Sequence, residues 1–315
     1  MEWYHIAGIV ILALAVLTIA IAFYCFRTVF YSPDRIPLKE DEYEIPPGEI
    51  YEVHREQMIA WTKEARAMPY QNVSIQSHDG LTLRGRYFEY AKDAPLEIIF
   101  HGYRGNSERD LSGGVQRCFR LGHSALIVDH RGSGASDGHV ITFGVNERKD
   151  CLRWIDFVNK TFGNEQKIML AGISMGAATI VMASGEVLPD NVIGIVADCG
   201  YCSQKEIIQK VVREMHLPPA LVYPFIKLGA WMFGHFNLEE TTPLQALKTC
   251  KTPIIFLHGD ADEFIPFAMS QQMYEACPTP KRLIKVKGAG HGLAFPHDQQ
   301  GYIDALREFE KELKL

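Results

Sequence analysis

The chain opens on an uninterrupted apolar block. Residues 6–26, IAGIVILALAVLTIAIAFYCF, give 21 positions without a charged side chain. A helix rises about 1.5 Å per residue, so the block reaches about 30 Å, the hydrocarbon thickness of a bilayer. It is apolar all round, whereas a helix on a soluble core keeps a polar stripe. A cleaved leader is disfavoured: Met1 to His5 holds no Lys or Arg, and Tyr24-Cys25-Phe26-Arg27 is too bulky for a cleavage site. The pattern predicts one retained transmembrane helix within residues 1–30. No cation precedes it, while Arg27, Arg35 and Lys39 follow. The positive-inside rule then places the remaining chain on the cytoplasmic side of the membrane.

Behind the block the pattern changes twice. Residues 31–50 are rich in proline and acids and read as an extended linker. Residues 51–68 have helical spacing and predict a lead-in helix, the start of a domain running to residue 315. Val73–Gln76 and Leu81–Tyr90 flank His78-Asp79-Gly80, a hairpin signal. Short apolar runs then follow at 96–100, 124–129, 167–171, 192–197, 253–257 and 282–286. Helical segments lie between or after them, at 114–121, 146–161, 175–188, 267–276 and 299–313. Continuous apolar strands are buried on both faces, and alternation with helices means a mostly parallel sheet covered on two sides. In such α/β folds ligands bind beyond the carboxyl ends of the strands.

Composition narrows the function. Hydrophobic residues make up 47% and charged residues 22%, as in folded globular proteins. A formal net charge of −6 argues against a nucleic-acid partner, which asks for a basic face. The seven cysteines are scattered, odd in number and mostly in apolar stretches, so they read as buried thiols. Cys199 and Cys202 form a C-x-x-C pair, but no second pair or nearby His completes a zinc site. No metal and no cofactor are expected.

The polar clusters all follow strands. Gly172-Ile173-Ser174-Met175-Gly176 is G-x-S-x-G between an apolar strand and a helix of small residues. This context makes Ser174 the candidate nucleophile, with glycines two residues away on each side removing clashes in a tight turn. A serine hydroxyl needs a base, and Gly288-Ala289-Gly290-His291-Gly292 offers His291 in a mobile-looking loop after the last strand. The imidazole needs a carboxylate behind it. His258-Gly259-Asp260-Ala261-Asp262-Glu263 supplies three acids. Asp262 sits before the apolar Phe264-Ile265-Pro266 and is preferred, while Asp260 reads as a turn former. An oxyanion needs two donors, for which the backbone N–H groups of Met175 and Tyr103 are the candidates.

At these residues the chain resembles the α/β-hydrolase superfamily, and within it bacterial serine aminopeptidase-like and lysophospholipase-like hydrolases. The likeness covers about residues 70–315. It rests on HGYRGN at 101–106, DHRGSGASDG at 129–138, GISMG, HGDADEFIP at 258–266 and GAGHG. It implies the triad order Ser174, Asp262, His291. It also implies that Asp129, Arg131 and Ser136 are scaffold. Lipases of the family often carry H-G-G-G where this chain has Tyr103-Arg104, a departure from them. Residues 199–250 match the variable cap, in which Tyr223, Phe225, Trp231 and Phe233 suggest an apolar pocket roof. Trp231, Phe233 and Phe264 are the candidate substrate-binding residues. The resulting expectation is a hydrolase of a small carboxylic ester. A peptidase on the same triad, with Glu239 or Glu240 anchoring a short peptide's amine, is the alternative. A membrane-tethered binding module without catalysis is the third possibility.

Overall fold

Strands apolar on both faces need helices on both sides, and the computed structural model has that arrangement. It describes residues 2–33 and 39–313. The chain begins with α1 (Trp3–Val29), α2 (Glu49–Glu52) and α3 (Arg55–Ala67). Then come β1 (Gln71–Gln76), β2 (Thr82–Phe88), β3 (Leu96–Phe100), α4 (Ser107–Leu121), β4 (Ser124–Val128) and α5 (Glu147–Phe162). The centre holds β5 (Ile168–Ile173), α6 (Met175–Ala183) and β6 (Val192–Asp198). The insert follows, with α7 (Gln204–Glu214), α8 (Pro219–Gly234) and α9 (Pro243–Leu247). Last are β7 (Ile254–Gly259), α10 (Phe267–Ala276), β8 (Lys281–Val286), α11 (Ala294–His297) and α12 (Gln299–Glu312).

The eight strands form one sheet in the order β1-β2-β4-β3-β5-β6-β7-β8. β2 runs antiparallel to both β1 and β4, and all other pairs are parallel. Alternate side chains feed two cores. Ile98, Phe100 and Leu170 face α5 and α6, whereas Ile99, Ala171 and Val196 face α4 and α12. The parallel strands end together, so the loops after β3, β5, β6, β7 and β8 meet at one edge.

The apolar block is helical from Trp3 to Val29, long and apolar enough to cross a membrane. Most of it is exposed, but Ala22, Cys25 and Phe26 are buried. They pack on α8. A Cβ placed on Gly229 would lie 2.4 Å from the Ala22 carbonyl, so glycine is what allows the two helices to approach. Phe233 stacks edge-on against Phe23 at 5.1 Å and lies 5.9 Å from Phe26.

The segment expected as a linker, residues 31–50, is engaged on both sides of residues 34–38, which lie outside the described residues and include Arg35. Tyr31 bridges Val140 as a single antiparallel pair. The Arg66 guanidinium donates to the carbonyls of Glu40 and Glu42 at 2.6 and 3.0 Å, clasping residues 40–42 to α3. Described residues on this segment therefore pack on the domain, because Arg66 supplies the partners that a free tether would take from water. The lead-in helix, expected over 51–68, is split into α2 and α3.

Candidate active site

The β5–α6 junction is tight. Ser174 has φ 56° and ψ −116°, a conformation that strains a non-glycine residue. Its N–H donates to the Asp198 carbonyl at 2.8 Å, which pins the turn to the end of β6. Gly176 allows α6 to start against β3: a Cβ there would lie 2.1 Å from the Phe100 carbonyl oxygen. Gly176→Ala is expected to lower stability by about 3 kcal/mol or more, since backbone must move. The check is the urea midpoint; an unchanged midpoint would mean that the junction yields freely.

Two other loops bring their side chains to the serine. His291 Nε2 lies 3.0 Å from Ser174 Oγ, and His291 Nδ1 lies 2.7 Å from Asp262 Oδ2. An ionised carboxylate only accepts, so Nδ1 carries hydrogen and Nε2 faces the hydroxyl as an acceptor. Asp262 Oδ1 accepts from the N–H groups of Phe264 and Ile265 at 2.9 and 2.7 Å. His258 Nε2 stands 3.2 Å from Asp262 Oδ2. Burial opposes the charge on Asp262, but the hydrogen bonds of His258 and His291 outweigh it and hold the carboxyl at about 2. Asp260 instead accepts from the Gly288 N–H at 2.6 Å and ties the two loops together. Glu263 offers its backbone carbonyl to Lys210 at 2.8 Å.

The loop after β3 is held from outside. The Tyr103 hydroxyl donates to the Val29 carbonyl at 2.6 Å. Arg104, at φ 54°, donates to the carbonyls of Thr28 and Tyr31 at 2.7 and 3.2 Å. The last turn of α1 thus braces the segment that carries the Tyr103 N–H. Met175 is buried at the first position of α6.

A cleft of about 550 Å³ opens at Ser174 and His291. Ile50, Trp61, Leu111, Phe264 and Phe295 supply apolar wall. Pro46 to Tyr51 form one side, which linker composition gave no reason to expect. Phe264 sits 5.0 Å from the His291 ring.

A family model described as serine aminopeptidase, S33, matches residues 95–238. The uncharacterized protein YqkD of Bacillus subtilis is 26% identical over 237 residues, 75% of this chain and 77% of that one. An uncharacterized membrane protein of Saccharomyces cerevisiae, YNL320W, is 23% identical over 251 residues, 79% of this chain and 82% of its own. Among solved structures the Pyrococcus furiosus esterase Pf2001 superposes with a TM-score of 0.65 at 20% identity, covering 86% of this chain and 99% of that one. The chain has the α/β-hydrolase fold.

The remaining expectations can be placed within this hydrolase fold. The loop at 129–138 is scaffold: Asp129 accepts from the N–H groups of Ser107 and Ala135 at 2.7 and 2.8 Å. Arg131 forks onto Asp150 at 2.7 Å and reaches Asp79 at 2.8 Å. The Ser136 hydroxyl donates to the Asp129 carbonyl at 2.8 Å. The cap departs from expectation. Trp231 is 66% exposed and lines a separate shallow hollow with Phe236. Phe233 packs on α1. Neither lines the Ser174 cleft, because α8 turns Phe233 to the apolar helix and leaves Trp231 outside. Phe264 does line it. Glu239 is paired with Lys227 and accepts from the Tyr223 hydroxyl, Glu240 accepts from Arg148 at 2.6 Å, and neither acid is among the residues that line the cleft.

Cys199 Sγ, Asp262 and His291 place one donor atom each within 4.8 Å of one another. Burial pushes the Cys199 thiol well above its usual range, whereas a metal takes thiolate. All seven cysteines are free and buried.

Proposed function

We propose that this hydrolase cleaves a carboxylic ester through a Ser174-His291-Asp262 triad. The observation behind it is the continuous line from Asp262 Oδ2 through both imidazole nitrogens to Ser174 Oγ at 2.7 and 3.0 Å. Ser174 Oγ attacks the carbonyl carbon as His291 Nε2 takes its proton. The resulting oxyanion is met by the N–H groups of Met175 and Tyr103. Collapse breaks the carbon–oxygen bond of the leaving alcohol, which takes the proton from His291. Water then attacks the acyl-serine by the same path, releasing the acid. The strained Ser174 backbone supports this reading, since strain of that kind gathers at functional positions.

Fluorophosphonate labelling tests it. The wild-type chain should label on Ser174, and Ser174→Ala should not label; equal labelling of both would assign the nucleophile elsewhere. The S33 match keeps a peptidase reading alongside. Both cap acids once expected to hold a substrate amine are engaged with cations, which favours the ester. Similar kcat/KM on aminoacyl-nitroanilides and nitrophenyl esters would reverse that preference. A binding module without catalysis has no observation in its favour.

The α1 helix is proposed as a single-pass anchor, with the catalytic domain on the cytoplasmic side through Arg27, Arg35 and Lys39. Its last turns are built into the domain, unlike those of a leader removed after export.

A further inference from the structure

The Ser174 cleft is not lined by apolar residues alone. Arg117, Asp198 and Tyr302 also line it, and they are 5%, 3% and 1% exposed. Most of their capacity is used. Arg117 pairs with Glu97 through one terminal nitrogen. The Tyr302 hydroxyl donates to Asp198 Oδ2 at 3.0 Å. Two atoms are left over: among the described residues, neither Asp198 Oδ1 nor Arg117 Nε has a hydrogen-bond partner. An unmet buried polar atom is disfavoured, and here two of opposite sense belong to residues that line one cavity.

Their chemistry selects a ligand. Asp198 Oδ1 asks for a donor and Arg117 Nε–H asks for an acceptor. A chain ending in methyl meets neither. An ammonium meets the acid alone, and a carboxylate meets the arginine while opposing Asp198. A hydroxyl meets both. The same cleft is also lined by Ile99, Ile173 and Leu111, and by Gly114, which has no side chain, on α4.

We infer that the inner arm of the cleft binds an aliphatic chain ending in a hydroxyl, which donates to Asp198 Oδ1 and accepts from Arg117 Nε. The substrate class is then an ester bearing an ω-hydroxyalkyl arm. This rests on the ester reading of Ser174 and adds a specificity site to it. Burial pushes the Asp198 carboxyl up to about 6, so it remains a charged acceptor at neutral pH.

The test compares twins of equal length. On the acyl side these are p-nitrophenyl esters of ω-hydroxyhexanoic, heptanoic and ω-aminohexanoic acids, with shorter and longer homologues. On the alcohol side they are butyrates of hexanediol and heptanol. In at least one series the hydroxyl twin should have kcat/KM higher than the methyl twin on the order of ten- to a hundredfold. The ratio is independent of how much enzyme is folded. It should fall toward one in Asp198→Asn. Should that variant not fold, Gly114→Val should lower turnover of the hydroxy esters relative to the acetate.

A ratio near one in both series would mean that water alone satisfies the two atoms, and would overturn the inference. So would a preference for the amino twin, or a ratio unchanged by Asp198→Asn. Calorimetry of the twins on the inactive Ser174→Ala protein separates this from the ester reading. Tighter binding of the hydroxyl twin there, with no turnover by wild type, would sink the ester chemistry and leave the subsite standing. Equal binding with normal turnover would do the reverse.

Discussion

Ser174→Ala should lower kcat on a nitrophenyl ester about 10⁴- to 10⁶-fold, and adding His291→Ala should lower it little further. The reason lies in how the groups depend on one another. A serine hydroxyl gives up its proton only as a base receives it, and His291 Nε2 stands 3.0 Å away. With the oxygen gone, the imidazole has no proton to take. Losses that added in full would mean that His291 acts on another group. Any residual rate would come from the cleft and the backbone donors near Tyr103 and Met175, which neither substitution touches. The parent protein, the two single variants and the double variant, all assayed at one pH, make the measurement.

The second large effect is expected at Asp262. Asp262→Asn should lower kcat on the order of 10³- to 10⁴-fold while the protein stays folded. Oδ1 receives two backbone N–H groups, from Phe264 and Ile265. An asparagine would keep its carbonyl oxygen there and turn its NH₂ toward His291. Nδ1 must then accept, so the hydrogen moves to Nε2 and the ring presents a donor to Ser174. The base would be in place in the wrong tautomer. A kcat within tenfold of the parent would show that the carboxylate is not what orients the ring.

The same carboxyl links stability to acid. Burial opposes its ionisation, yet His258 and His291 hold it at about 2, below the usual 3.8. A depressed carboxyl contributes stability that is present above the unfolded value and lost as pH falls through the folded one. That contribution, about 2 kcal/mol, should disappear between roughly pH 4 and pH 2. Asp198, raised to about 6, works in the opposite sense: its contribution is full below about pH 4 and is lost as pH rises through 6.

Much of the frame is legible in the chain itself. Leu96–Phe100 and Phe267–Ala276 are read to the residue, because an apolar run and an amphipathic turn end at clear breakers. The helix after β3 is read too short. Gly113-Gly114 looks like its start, whereas Asn106 caps it by accepting from the Arg109 N–H at 2.9 Å. The glycines are there for packing, since a Cβ on Gly113 would lie 2.7 Å from Trp61. Local patterns report what a segment prefers, and this contact joins two helices. The same limit hid the polar end of the cleft. Arg117, Asp198 and Tyr302 lie far apart in sequence and none belongs to a motif. The aromatic face of α8 was visible in the chain, but not what it faces. Phe233 meets the apolar helix at the other end of the sequence, and periodicity within 219–233 carries no sign of that.

The hydrogen bonds from Tyr103 and Arg104 to the end of α1 have a mechanical meaning. An enzyme on a slack leash samples every heading above its membrane. Here three hydrogen bonds tie the end of the helix to the loop beside the serine, and its packing on α8 is a second tie. Were α1 to cross a bilayer as proposed, these ties would hold the mouth of the cleft at one bearing to the lipid plane, so that molecules arriving by lateral diffusion would meet the same side of it.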